Sequence, residues 1–201
     1  MLTPDLRAHL LTCEALVMGA SSGAIEALNQ LLPVVPEAAR IPIVVVVHLP
    51  PNRSSLLAEI FAKRCLVRVR EPEDKEPISA GSIWFAPANY HLLVEADRSF
   101  ALSIDVPVNF SRPSIDVLFE SAADAFGPNL GCVVLTGAND DGAQGASSIR
   151  RQGGLVIVQE PSTAEAKEMP TAAISRANPQ IIATLPEIAE LIRLMTTRAA
   201  P

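Results

Sequence analysis

Cysteines, aromatics, basic runs and long apolar runs are all scarce in this sequence, and each shortage removes a class of protein. Only three cysteines occur, Cys13, Cys65 and Cys132, widely spaced and without a C-x-x-C pair. Neither a disulfide framework nor a zinc site is therefore expected, and a reducing cytoplasm suits the chain. Lys and Arg total 16 against 22 Asp and Glu, a formal net charge of -6. With no basic stripe to track a phosphate backbone, nucleic acid is not an expected partner. The longest apolar run, VVVVHL, is broken by His48 and followed by two prolines, and the first segment carries Asp5, Arg7 and Glu14 among its apolar residues. That pattern matches neither a membrane span nor a signal-peptide core, so no membrane insertion is expected.

What remains is an aliphatic chain. Hydrophobic residues make up 49% and aromatics only 4%, with one Trp and one Tyr, so Val, Ile, Leu and Ala must build the interior. Parallel sheets covered by helices have this composition. A length of 201 residues suits one domain of roughly 100 to 200 residues, and a single domain over 1–201 is expected, with its core at about 15–195. Strand-like runs recur at ALVMG, IVVVVHL, VRVR, SIWFA, HLLVEA, FALSI, GCVVLTG, LVIVQE and IIATL. Helical patterns lie between several of them: after Gly23, closed by Pro33; in SSLLAEIFAKR from a Ser cap; in SRPSIDVLFESAADAF; in DGAQGASSIRRQGG; and in LPEIAELIRLM. The alternation predicts right-handed βαβ crossovers and an α/β fold with a mostly parallel sheet. Between Val67 and Ile104 it lapses into strands and turns, which predicts a hairpin or meander at the sheet's edge.

The stretch LVMGASSGAIEAL carries the functional question. Its glycines could cradle the phosphates of a dinucleotide, as in the short-chain dehydrogenases, or they could set Ser21 on a sharp turn as a nucleophile. The first reading needs a third loop glycine, a ribose-binding residue after the second strand and a Tyr-x-x-x-Lys pair. Ala24-Ile25, His48 and the Tyr90/Val94 spacing stand in their places, so that reading is disfavoured. A nucleophile elbow needs a base and a carboxylate at the same rim. His48 ends the strongest strand, and Asp140 and Asp141 follow another, where open α/β sheets gather their sites. One of the two aspartates could instead only cap the following helix. The order Ser, His, Asp differs from the Ser, Asp, His of the α/β-hydrolases.

The segments GASSGAIEAL, VVVVHLPP, GSIWFAPANYHLLV, RPSIDVLFESAA and VVLTGANDDGAQG, in this order and spacing, resemble the catalytic domain of the chemotaxis receptor protein-glutamate methylesterases, the CheB type. The resemblance runs from about Ala15 to about Leu191. It implies a doubly wound parallel sheet flanked by helices with an antiparallel hairpin, and a catalytic triad of Ser21, His48 and Asp141. The implied activity is hydrolysis of glutamate γ-methyl esters on a methylated chemoreceptor or receptor-like helical protein, with deamidation of glutamines as a further activity. No metal or organic cofactor is implied. Oxyanion and pocket residues would be Ser22, Gly23, Gly137, Ala138 and Asn139; substrate-binding candidates are Asn89, Tyr90, Arg112 and Met169. Three departures stand out: Ser22-Gly23-Ala24 for Thr-Gly-Gly, Ala138-Asn139 for Met-Gly, and Glu168 for a glycine. The last two motivate an alternative, a regulatory or binding module that keeps the fold without useful catalysis. Fewer than about twenty residues precede the first strand, against the roughly 50 of a small domain, so no phosphoacceptor lid is expected and acetyl phosphate should not activate the chain.

Overall fold

The computed structural model describes residues 2–48 and 55–197. After helix α1 (Pro4–Thr12) come β1 (Ala15–Ala20), α2 (Ala24–Leu31), β2 (Ile43–Val47), α3 (Leu57–Ala62), β3 (Arg68–Arg70), β4 (Ser82–Phe85), β5 (His91–Val94) and β6 (Phe100–Ser103). The second half runs α4 (Ile115–Phe126), β7 (Leu130–Val134), α5 (Ala143–Arg151), β8 (Leu155–Gln159), α6 (Glu168–Ala177), β9 (Ile181–Ala183) and α7 (Leu185–Thr196). Seven strands form one sheet in the order β3-β4-β2-β1-β7-β8-β9, and every neighbouring pair is parallel.

Strands buried on both faces explain the unbroken apolar runs. Along β1, Leu16, Met18 and Ala20 face a layer containing Leu28, Leu31, Phe61, Ile188 and Ile192. Ala15 and Val17 face the opposite layer, with Ile115, Phe119, Ile149 and Met169. Each fully buried Val, Ile or Leu contributes about 1.5–3 kcal/mol relative to leaving it exposed, so the period of two fixes which layer each strand residue joins. β1 lies at the middle of the sheet with β2 on one side and β7 on the other. The chain thus winds away from β1 in both directions, and the crevice at the carboxyl ends of these three strands is a topological switch point.

The expected hairpin is present as β5 and β6, an antiparallel pair forming a sheet of its own. It is bound to α4 by the Val94 N–H donating to Ser121 Oγ at 3.1 Å and to the main sheet by Phe100 against Trp84, ring centroids 5.0 Å apart. β3 and β4, in the same strand-rich stretch, instead extend the parallel sheet: α3 carries the chain from β2 out to β3 at the edge, and β4 then enters between them. Of the Ser cap expected for α3, Ser54 lies outside the described residues; Ser55 Oγ accepts the Leu57 N–H at 3.3 Å. Two helices were not anticipated. α1 has a Thr3 cap, Pro4 and Asp5, and α6 has Pro170 near its start and Asn178 in a left-handed cap at its end, so both carried end signals without a strong apolar stripe. Among the described residues, no helix is long and apolar enough to cross a membrane.

Candidate active site

The ladder that builds β1 continues one step past its end. The His48 N–H donates to Ala20 O at 3.1 Å, and the Ser21 N–H donates to Thr136 O at 2.9 Å, so Ser21 sits on the rim between the ends of β2 and β7. There the chain reverses: the Ala24 N–H returns to Ser21 O at 2.9 Å, and Gly23 takes φ +81°. A side chain at that φ is strained, and its Cβ would also meet Glu165 Cβ at 2.8 Å. Ser21 is half-buried and Ser22 exposed, with Ser22 O accepting the Thr136 hydroxyl at 2.8 Å. Ser21 and His48 line one open cleft of about 400 Å³ together with Gly23, Ala24, Glu26 and Glu165.

His48 Nε2 lies 2.7 Å from Asp141 Oδ2. The imidazole side chain is 10% exposed and the carboxylate 0%. Asp141 accepts four further hydrogen bonds: from the N–H groups of Ile115 at 2.7 Å and Asp116 at 3.1 Å, from Ser114 Oγ at 2.9 Å and from Asn109 Nδ2 at 3.1 Å. It is therefore the anion at the N-terminus of α4, where unpaired N–H groups and the helix dipole both favour negative charge. Burial pushes its carboxyl up. The bond from His48, the Ile115 and Asp116 N–H groups and the imidazole's charge together outweigh that and hold Asp141 below the usual carboxylate range. The other aspartate is different: Asp140 is exposed, and its backbone carbonyl accepts the Ala143 N–H at 3.1 Å. Of the two candidates, Asp141 is the one that meets the histidine.

A second carboxylate backs the first. Asp116 Oδ1 accepts the Gly145 N–H at 2.7 Å, in the first turn of α5, while Asp116 Oδ2 accepts from Asn109 Nδ2 at 3.0 Å. The two helices cap each other, with Asp141 ahead of α5 serving α4 and Asp116 in α4 serving α5. Close approach at this corner depends on glycine. Gly142 has φ +92°, and a Cβ there would lie 2.7 Å from Ile115 Cγ2. Burial first, then the negative charges of Asp141 and Glu120, push the Asp116 carboxyl up to about 6.

The remaining sequence candidates divide. Asn139 lies beside the imidazole, its Nδ2 3.4 Å from His48 Nδ1 and its Oδ1 accepting the Asp141 N–H at 3.3 Å. Ala138 next to it is exposed. Gly137 cannot be an oxyanion donor, because its N–H is spent on Ala166 O at 3.0 Å. Nor does Met169 reach the cleft. It is 0% exposed, and its Cε occupies the space where a Gly137 Cβ would lie, at 2.5 Å, so it supports the loop from beneath. Arg112 Nη1 donates to the carbonyls of Ile104 at 2.7 Å and Asp105 at 2.9 Å, which pegs the loop ahead of α4. Asn89, at φ +65°, and Tyr90, 40% exposed, follow the carboxyl end of β4 on the same rim. Asn109, Ser114, Asp116, Thr136 and Glu165 were not singled out in the sequence. Ser114 alone carried a readable signal, a cap residue just before an apolar helix.

Comparison with known proteins identifies the family. A family model described as CheB methylesterase matches residues 16–192. A Leptospira interrogans protein, provisionally designated a protein-glutamate methylesterase/protein-glutamine glutaminase, is 47% identical over 182 residues, covering 90% of this chain and 94% of the relative. A Trichodesmium erythraeum protein-glutamate methylesterase/protein-glutamine glutaminase is 41% identical over 164 residues, 80% of this chain and 46% of that protein, so the chain spans about half of such longer relatives. The crystal structure of the Thermotoga maritima CheB methylesterase catalytic domain superposes with a TM-score of 0.86 at 31% identity, covering 90% of this chain and 98% of that one. With most of its length matched and the same sheet and hairpin, the chain belongs to the CheB methylesterase family.

Proposed function

We propose that this chain is a serine hydrolase that removes methyl groups from glutamate γ-methyl esters on a helical receptor protein, releasing methanol. The observation that carries the reading is the cleft shared by Ser21 and His48, with the imidazole held from behind by the buried carboxylate of Asp141 at 2.7 Å. Since Nε2 is engaged by Asp141, Nδ1 is the nitrogen left to act as base. Ser21 Oγ attacks the ester carbonyl while its proton passes to Nδ1. The tetrahedral intermediate then collapses, the C–O bond to the methoxy group breaks, and the imidazolium returns the proton to the leaving methoxide. Water, deprotonated by the same nitrogen, hydrolyses the acyl-enzyme and restores Ser21. Asp141 stabilises the positive imidazolium at each stage without itself taking the proton.

Backbone N–H groups of Ser22 and Gly23 on one side and Ala138 and Asn139 on the other are the candidate oxyanion donors, each worth about 3 kcal/mol in the transition state. Asn89, Tyr90 and the loop pegged by Arg112 are the candidate contacts for a receptor helix. The same machinery deamidates a glutamine when the departing group is ammonia. No step requires a metal or an organic cofactor, and a cytoplasmic enzyme acting on the cytoplasmic part of a receptor fits the reduced cysteines. Methanol release from methylated receptors, together with Ser21 labelling by a fluorophosphonate, tests the reading. The competing reading, a regulatory module without turnover, draws on Asn139, whose amide faces the very nitrogen the reaction needs; such a module would not label.

A further inference from the structure

Asn139 places a polar side chain inside the site, beside the imidazole. That side chain touches the catalytic apparatus at both ends. Oδ1 accepts the Asp141 N–H at 3.3 Å, a local turn that settles which way the amide points, and Nδ2 is therefore directed at His48 Nδ1, 3.4 Å away. With Nε2 held by Asp141 at 2.7 Å, Nδ1 carries the lone pair that must receive the Ser21 proton. An amide N–H has no lone pair to offer and can only donate. Two donors, the Asn139 amide and the Ser21 hydroxyl, thus compete for one lone pair.

We infer that Asn139 is a positioning residue that holds the free nitrogen of His48 in the resting site, and that its amide must let go before Ser21 can transfer its proton. This rests on the proposed hydrolase reading. Asn139 keeps the ring oriented between turnovers, at the cost of a slower nucleophile. Binding of an ester in the cleft releases the amide, so activation of Ser21 is coupled to occupancy.

The substitutions separate the two ends of the side chain. Asn139 has no left-handed φ to restrict replacement. In Asn139→Ser the short hydroxyl still accepts the Asp141 N–H but does not reach the ring; in Asn139→Asp the turn is kept and a negative charge faces Nδ1. The carboxylates around the ring, Asp141 against it and Glu26 and Glu165 across the cleft, are the same in every variant, as is exposed Asp140. Purified full chains are compared by rate of fluorophosphonate labelling against pH and by ¹⁵N signals of the His48 ring. Asn139→Ser should label several-fold faster on the alkaline plateau. Its half-rise should move to higher pH, because a bond made only by the neutral ring is lost, and its Nδ1 signal should shift. Asn139→Asp should move the half-rise further in the same direction, since an anion favours the protonated ring. Unchanged or slower labelling of Asn139→Ser, or a stationary Nδ1 signal, overturns the inference. Failure of the wild-type chain to label refutes the hydrolase reading instead, and the ring signals then still decide whether the amide holds the nitrogen.

Discussion

Asp141→Asn is the most demanding perturbation of this site, because it should damage stability and chemistry by separable amounts. The carboxylate accepts five hydrogen bonds, from His48, Asn109, Ser114, Ile115 and Asp116. An amide replaces one of the two oxygens with an NH₂ group. If the NH₂ takes the place of Oδ2, it meets the Ile115 N–H and the imidazole. If it takes the place of Oδ1, it meets the Asp116 N–H and the Asn109 amide, while the Ser114 hydroxyl can rotate to accept. Either way about two buried donors lose their acceptor, at about 1–3 kcal/mol each, and the anion at the α4 N-terminus is lost as well, worth about 0.3–1 kcal/mol. A destabilisation of about 2–7 kcal/mol is expected. Neutralising the carboxylate of such a triad also costs on the order of 10⁴ in turnover.

Urea unfolding at several pH values reads the first quantity, and methanol release at a concentration where both proteins stay folded reads the second. The folded-state pKa of Asp141 is depressed, so its contribution is fully present above the unfolded value of about 3.9 and is lost as pH falls through the folded value. The gap between wild type and Asp141→Asn should therefore close toward acid pH. A variant with the wild-type urea midpoint at neutral pH would refute the reasoning that Asp141 caps α4. A variant destabilised but fully active would leave the cap standing and remove Asp141 from the chemistry.

Ser21→Ala should abolish fluorophosphonate labelling and methanol release while moving stability by less than about 0.5 kcal/mol, whereas Ser22→Ala should be mild; the reverse result would displace the nucleophile by one residue. Met169→Ala should cost about 2–5 kcal/mol through the cavity it leaves and lower turnover by loosening the loop above it, with little change in KM; a selective rise in KM at unchanged stability would return Met169 to the substrate. Asp116 titrates in the opposite sense to Asp141. Its folded value of about 6 lies above the unfolded one, so the stability that its protonated form supports is present at low pH and lost as pH rises from about 4 to about 6. Asp116→Asn should flatten that decline in a urea series, and an unchanged slope would show that another group causes it.

Local residue chemistry made the frame of this protein legible. Each of the nine strand-like runs became a strand, and β1, β2, β4, β7 and β8, buried along their whole length, are covered on both faces and so place apolar residues at consecutive positions. The rim location of Ser21 and His48 followed from the same reading, since both are the first residues after strands that must lie side by side. Less visible was anything that depends on where two distant helices begin. Asp140 and Asp141 are identical in type and both suit a turn; what distinguishes them is the α4 N-terminus, 26 residues earlier in the chain, which presents the Ile115 N–H to one carboxylate. Asn109 and Asp116 escaped notice for the same reason. Met169 misled in the other direction, because a residue within a recognisable motif was assigned to substrate when its work is to fill the space beneath Gly137. The mutual capping of α4 and α5 accounts for these cases together. It buries two carboxylates within one hydrogen-bonded cluster, so the charge that orients His48 also locks the corner of the fold, and a substitution meant to probe catalysis at Asp141 must probe folding as well.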